Sequence, residues 1–332
     1  MYHLTVAHRR GGAHNPNRLR CARAATKEQI ILVAIHDAEH NSGFPNFALM
    51  KISAWHKSQG HKVVWFCGLE QQFYDKIYSS KVFDFTPIDH CIDMLENDRR
   101  LIKGGIGYRL FNELPKEIDE MFPDYSIYPE IDHAIGFLTR GCIRKCEWCI
   151  VPHKEGHIKP YAAVEQIARQ DTNKIVFMDN NVLACEHGIE QIKQIANERK
   201  YRIEFNQGLD VRLLTDEIIE ILSIVRWIKH IHFSCDNESQ LAHFEKWMPK
   251  LKEDKLANKM FVYLLVTQDI ESAEFRAREL FRLNPQIRMI YAQAEHNKGK
   301  YITKEQRQFC RYARNGQFRK FATFSDFLKS KI

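Results

Sequence analysis

The chain has 332 residues, and what it lacks narrows it first. The longest early apolar run, Ile30 to Ile35, is six residues, where a membrane-spanning helix needs roughly 20. The first residues hold no apolar stretch of the signal-peptide kind, so cytoplasmic residence and no membrane partner are the expectation. Acidic residues are absent from 1–27. That segment holds Arg9, Arg10, Arg18, Arg20, Arg23 and Lys27 around Gly11-Gly12 and Asn15-Pro16-Asn17, with no apolar period. It reads as a disordered basic tail, unable to bury enough apolar surface to offset its ordering entropy. Acids are also scarce at the other end, where ten Lys or Arg face only Glu305 and Asp326 over 298–332. The net charge of +7 therefore leaves about −7 for the body, 28–297. A surface basic all over is excluded; a mildly acidic body with two basic ends remains.

From residue 28 the pattern is α/β. Ile30 to Ile35 reads as a buried strand, 47–59 as a helix with apolar residues at 47, 48, 49, 52 and 55, and 61–66 as a second strand after the turn at Gly60. A short third strand is expected at 82–85. Strands alternating with helices predict a small parallel, doubly wound sheet over 28–93. Residues 94–132 read as a crossing segment, with a charged turn at Asn97-Asp98-Arg99-Arg100, a loop at Gly104-Gly105-Ile106-Gly107, and prolines at 115, 123 and 129. Those glycines suit a phosphate cradle or a plain turn.

Over 133–295 six further strands are expected, at 134–138, 174–178, 202–206, 230–234, 260–266 and 288–292. Helical stretches fall between them at 161–170, 189–200, 215–225 and 270–283. A helix after each strand predicts right-handed crossovers and parallel pairing. Six units are too few to close an eight-stranded barrel, so a partial (βα)6 TIM-like barrel is expected, with its chemistry at the carboxyl ends of the strands. Residues 296–332 form a basic aromatic arm, in which Arg307, Phe309, Arg311, Tyr312, Arg314, Phe318, Arg319 and Lys320 interleave cations with rings. Rings beside cations suit nucleic acid. Phe318, Phe321, Phe324 and Phe327 recur every third residue, which suits a segment docked on the barrel with a solvated basic face; docking is the expectation.

Three of the nine cysteines, Cys142, Cys146 and Cys149, crowd into eight residues just after the first of those six strands. No fourth cysteine is near. With His153 they would make a closed, tetrahedral, structural zinc site. Alone, three thiolates could hold a [4Fe–4S] cluster and leave one iron without a protein ligand. An open position is what a metal site needs to bind and activate a substrate. The other six (Cys21, Cys67, Cys91, Cys185, Cys235 and Cys310) are expected to be reduced packing residues.

The spacing Cys142-x3-Cys146-x2-Cys149, with Trp148 before the last cysteine, resembles the signature of the radical S-adenosylmethionine superfamily. The resemblance covers 133–292 as a fold and the cysteine loop in detail. It implies an enzyme whose [4Fe–4S] cluster is held by Cys142, Cys146 and Cys149. The open iron would chelate the amino and carboxylate groups of S-adenosylmethionine. An electron from a flavodoxin- or ferredoxin-type donor would then break the sulfonium–C5′ bond, and the resulting 5′-deoxyadenosyl radical would take a hydrogen atom from the substrate.

In this resemblance Trp148 takes the aromatic place beside the adenine. Many members carry a Gly-Gly-Glu-like motif at the end of the second strand, facing the cosubstrate's amino group. Here Asp179, Asn180 and Asn181 stand there. They offer carboxylate and carbonyl acceptors for an ammonium, or a helix cap. After the third strand, Arg212 could fork onto the methionine carboxylate, and Gln207 or Asp210 could hold the ribose hydroxyls; an Asp210–Arg212 structural pair is the other reading. The fourth strand ends Ser234-Cys235-Asp236-Asn237, again polar, with Cys235 expected to be buried.

Two narrower likenesses point in different directions. Ile150-Val151-Pro152 followed by Lys154-Glu155-Gly156 is similar to the loop of methylthiotransferases, which modify transfer RNA or a ribosomal protein and carry a second cluster on three N-terminal cysteines. Only Cys21, Cys67 and Cys91 are available for one, and Cys21 precedes the first strand. The N-terminal sheet resembles a cobalamin-binding-type domain, whose Asp-x-His-x-x-Gly motif should follow the first strand. Asp37-Ala38-Glu39-His40-Asn41-Ser42-Gly43 has one residue too many, so no cobalamin is expected. The sequence thus reads as a radical S-adenosylmethionine enzyme of unnamed substrate, RNA included. The alternatives are an RNA-modifying methylthiotransferase-like enzyme and a non-enzymatic, zinc-stabilised adaptor that binds RNA.

Overall fold

The computed structural model describes residues 30–109, 111–287, 289–294 and 302–331. The basic tail, Cys21 and residues 295–301 lie outside them. Four parallel strands form the first layer: β1 (Leu32–Asp37), β2 (Lys62–Trp65), β3 (Lys76–Ser80) and β4 (Leu101–Gly104), in the order β2-β1-β3-β4. Helix α1 (Phe47–Ser58) crosses from β1 to β2. Asn46 caps it by accepting from the Leu49 amide, and Gly60 turns the chain out at φ +81°. Two short helices follow, α2 (His90–Met94) and α3 (Lys116–Asp119).

The third strand is not at 82–85. Val82, Phe83 and Phe85 are exposed, and the rings of Phe83 and Phe85 stack 5.1 Å apart in a loop. β3 instead lies at 76–80, where Ile77 alone is a fully buried apolar residue. β4 falls in the expected crossing segment. Gly105, at φ +96°, follows it; a Cβ there would lie 2.3 Å from the Lys81 carbonyl oxygen. These glycines permit close backbone packing, which accounts for them without a phosphate.

The second layer holds two three-stranded parallel sheets. One is β5 (Ala134–Gly136), β8 (Lys174–Phe177) and β9 (Arg202–Phe205); the other is β10 (Ile231–Ser234), β11 (Met260–Val266) and β12 (Met289–Ala294). Isolated parallel bridges Ile203–Trp227 and Leu209–Phe233 link the edges of β9 and β10, so the six strands follow one another in chain order. A two-residue antiparallel ladder, β6 (Thr139–Arg140) with β7 (Lys159–Pro160), follows β5. The intervening helices are α4 (Val151–Lys154), α5 (Val164–Ile167), α6 (Glu186–Glu198), α7 (Asp216–Ile224), α8 (Ser239–Glu253) and α9 (Ile270–Leu283). The helix expected over 161–170 is only the single turn of α5.

Helices α10 (Lys304–Arg314) and α11 (Phe324–Lys329) close the chain. Their Phe309, Tyr312, Phe324 and Phe327 share one apolar core with the second-layer strands and α6 to α9. The two layers meet where Leu49, Met50 and Ile52 of α1 pack with Tyr128, Ile135, Val176 and Met178. Beside this seam Lys51, 3% exposed, pairs with Asp119 and donates to the Tyr161 hydroxyl at 2.7 Å. Among the described residues no helix is long and apolar enough to cross a membrane.

Between α1 and the first sheet, His56 is fully buried. Its Nδ1 meets His61 Nδ1 at 2.8 Å and its Nε2 meets the Tyr78 hydroxyl at 3.1 Å. Burial, with the nearby charges of His61 and Lys76, pushes its pKa down to about 4. Below about pH 6.5 the unfolded chain takes up a proton that the folded one refuses, so stability is lost as pH falls from there towards 4. The expected loss from this group between pH 7 and pH 5 is ~2 kcal/mol. Thermal melts of His56→Gln should show a smaller drop over that interval than the parent; an equal drop would place the pH sensitivity elsewhere.

Candidate cluster and cosubstrate site

The loop bearing the three cysteines is held at both ends before any ligand is considered. Asp179, 1% exposed at the end of β8, accepts from Leu138 N (3.0 Å), Thr139 N (2.6 Å) and Thr139 Oγ1 (2.7 Å), fixing the turn between β5 and β6. Burial pushes its pKa up to about 6 against those donors. Gly141, at φ +87°, comes next, and a Cβ there would lie 2.4 Å from the His157 carbonyl oxygen. Only glycine fits, and the residue after it is Cys142. Glu155 then ties the loop together, accepting from Arg140 Nη2 (2.8 Å), Gly141 N (2.9 Å) and Asn180 Nδ2 (2.9 Å). Cys142 N donates to Gly156 O at 3.2 Å, closing the loop on itself.

All three cysteines are half-buried. Cys142 Sγ accepts from Arg144 N at 3.3 Å and from Asn181 Nδ2 at 3.5 Å. A tight turn joins the other two through Cys149 N to Cys146 O, 3.0 Å. Burial pushes both of these thiols up; Arg212 opposes this at Cys146, the Val151 amide opposes it at Cys149, and the neighbouring cysteines and Asp236 add to it at both. The three thiols therefore sit in one another's field. Among the described residues no three His, Cys, Asp or Glu groups come close enough to share a single ion. His153, the fourth ligand of a zinc reading, is exposed on α4.

Beside the loop, Asp210 gathers the charged groups of the next strand end. It accepts from Arg212 Nε (2.7 Å) and Nη2 (3.0 Å), from Arg144 Nε (3.0 Å) and from Asn181 Nδ2 (3.4 Å). Burial alone would raise its pKa, but Arg212 and Arg144 outweigh burial and hold it low. Arg212 is thus paired structurally yet keeps Nη1 outside that fork. Asn181 is the residue left with an unmet need: its Nδ2 serves Cys142 and Asp210, and its Oδ1 is buried without a partner. Trp148 is half-buried in the loop and Gln207 is exposed. Asp236 is half-buried, and desolvation pushes it up to about 6 against Arg276 and Arg212.

The strand ends thus bring Asn181, Asp210 and Arg212 to the cysteines, while Asp179 and Asn180 serve the backbone and Glu155. Sequence reasoning gave Glu155 no role of its own, because its three partners come from β6, the loop and the end of β8. An acid two residues after a histidine carries no local signal of that.

No family model matches the sequence, and no curated protein matches it. Among solved structures the chain is similar to a radical S-adenosylmethionine methyltransferase, TsrM from Kitasatospora setae, solved with tryptophan substrate and the SAM analog aza-SAM bound. The TM-score is 0.52 at 10% identity, over 71% of this chain and 67% of that one. Over that span the chain shares the fold of that structure. At that identity the likeness is one of architecture alone.

Proposed function

We propose that the chain is a radical S-adenosylmethionine enzyme, with Cys142, Cys146 and Cys149 as ligands of a [4Fe–4S] cluster and the six second-layer strands acting together as a partial (βα)6 barrel. When bound and reduced, such a cluster would supply an electron for reductive cleavage of the sulfonium–C5′ bond of S-adenosylmethionine, giving methionine and a 5′-deoxyadenosyl radical. A flavodoxin- or ferredoxin-type protein would deliver that electron. The observation that carries the reading is Asn181. Its amide nitrogen is committed to Cys142 Sγ and Asp210, so its carbonyl oxygen turns away from them and stays buried and unpaired. Such an orphan acceptor costs about 1–3 kcal/mol, and an ammonium group bound beside Cys142 would satisfy it.

The other residues have complementary parts. Arg212, with Nη1 free of the Asp210 fork, suits a carboxylate, and Arg144 adds a second guanidinium. Asp210 holds both cations in place and so serves the cosubstrate indirectly. Trp148 offers a ring face to the adenine, and Gln207 lies exposed at the rim for the ribose. Glu155 and Gly141 set where Cys142 stands. In the first layer, the ring of His40 packs on Trp65 at 4.4 Å and on Tyr128 at 5.7 Å. Asp37 and His40 stand one residue too far apart for the cobalamin motif, so no cobalamin is assigned.

Asn181→Ala tests the reading. The expected result is an unchanged iron content with S-adenosylmethionine bound about tenfold to a hundredfold more weakly, the worth of one to two hydrogen bonds to a charged group. Unchanged affinity in the iron-loaded variant would remove Asn181 from the site and leave the reading without its main support.

A further inference from the structure

One face of the second layer carries an unmet demand for hydrogen-bond donors. Along β9 to β11, Ile203, Phe205, Ile231, Phe233, Val262 and Leu264 are buried in the core they share with the helices. Side chains alternate along a strand, so Glu204, His232, Phe261 and Tyr263 face the other way, as does Tyr291, paired with Tyr263 across β11 and β12. In the β5–β8 half that face is closed by α1 and Tyr128. From β9 to β12 no apolar cluster covers it among the described residues, and Glu204, Phe261, Tyr263 and Tyr291 remain half-buried.

The rings form a continuous wall. His232 and Phe261 lie 4.6 Å apart, Phe261 and Tyr263 5.1 Å, and Phe261 and Tyr291 5.9 Å. Several of the polar atoms set into it are acceptors. Tyr263 spends its hydroxyl proton on Asn206 O at 2.7 Å, and Asn206 Oδ1 is buried without a partner. His232 Nδ1 lies 3.1 Å from Phe205 O, which can only accept, so the ring proton sits on Nδ1. Burial pushes the pKa of His232 down to about 4, so the imidazole is neutral and its Nε2 presents a lone pair. That lone pair faces Glu204 Oε1 at 3.7 Å, too far for a hydrogen bond. Two acceptors thus look at each other across a gap beside an aromatic wall.

We infer that this wall binds a planar ring bearing an N–H donor, the ring lying against Phe261 and Tyr263 and its N–H directed between Glu204 and His232. Its assignment as the substrate site rests on the radical-enzyme reading above, in which β9 to β12 belong to the proposed barrel. Two features set the ligand class: ring faces select a flat π-system, and the acceptor pair rejects a ring that lacks N–H.

The test is binding of indole to the full chain, followed by ligand-observed nuclear magnetic resonance, with 1-methylindole as the control that lacks the donor. Indole should bind, and 1-methylindole should bind about tenfold more weakly, as loss of one hydrogen bond to a charged acceptor requires. Glu204→Gln places its own amide donor against His232 Nε2, so it should weaken indole about tenfold while the melting temperature holds. Phe261→Leu, which removes the ring and keeps the bulk, should weaken both probes. No indole binding, equal binding of the two probes, or an unchanged affinity in Glu204→Gln would overturn the inference. Iron content of the same preparations separates the two claims. Iron-loaded protein with no indole response sinks the ring site alone; an indole response in protein that binds no iron keeps the ring site and removes only its link to radical chemistry.

Discussion

Changing any one of Cys142, Cys146 or Cys149 to alanine will leave the anaerobically reconstituted protein colourless, with its iron content at background, while the fold survives. The loop is held by groups other than its cysteines. Asp179 pins the turn before it, Gly141 supplies the left-handed backbone at its start, and Glu155 gathers Arg140, Gly141 and Asn180 at its close. Each half-buried thiol can therefore be removed at the cost of a small side chain, and melting temperatures should shift by only a few degrees. The effect on iron should be close to complete, because each cysteine would supply one of only three protein ligands to the cluster. His153→Ala, by contrast, should keep full iron content, since that ring is exposed on α4. A colourless parent protein with one zinc per chain, lost in His153→Ala, would establish the zinc site instead.

Ending the chain after residue 301 will have the largest effect on folding. The lost segment carries Phe309 and Tyr312, both fully buried, and Phe318, Phe324 and Phe327, at most 7% exposed. They belong to the same apolar core as the second-layer strands. Burying one such ring is worth about 1.5–3 kcal/mol, so five are worth roughly 10 kcal/mol, the size of a whole domain's stability. Gln306 Nε2 to Val266 O, 3.1 Å, and Arg314 Nε to Ala292 O, 2.7 Å, are lost too, exposing the carbonyls of β11 and β12. The shortened protein should be insoluble or melt without cooperativity. A soluble, cooperative protein that has lost only salt-sensitive RNA binding would make the arm a nucleic-acid element.

The legible part of this molecule is its period. The helix at 270–283 is found at those residues, because apolar side chains recur at helical spacing and Asp269 caps its start by accepting from Ser272 N. The six second-layer strands appear within a residue or two of their expected places, since each is a short apolar run between helices. β3 was missed because Lys76-Ile77-Tyr78-Ser79-Ser80 has one fully buried apolar residue and is held by pairing with β1 and β4 on either side. Phe83 and Phe85 misled because aromatic content suggests a strand wherever it falls. In the site, the cysteines and the polar strand ends were visible as motifs. Their division of labour was not, since whether Asp179 or Asn181 faces a ligand depends on which backbone amides lie within reach. The face made by Glu204, His232, Phe261 and Tyr263 joins three strands separated by long helices, so no local window contains it.

The central claim is tested most directly by incubating the anaerobically reconstituted, dithionite-reduced protein with S-adenosylmethionine and separating the products by chromatography. The account predicts 5′-deoxyadenosine and methionine in equal amounts, formed slowly without substrate and absent from the cysteine variants. A cluster that is reduced yet yields no 5′-deoxyadenosine, or a protein that yields only S-adenosylhomocysteine, would contradict it.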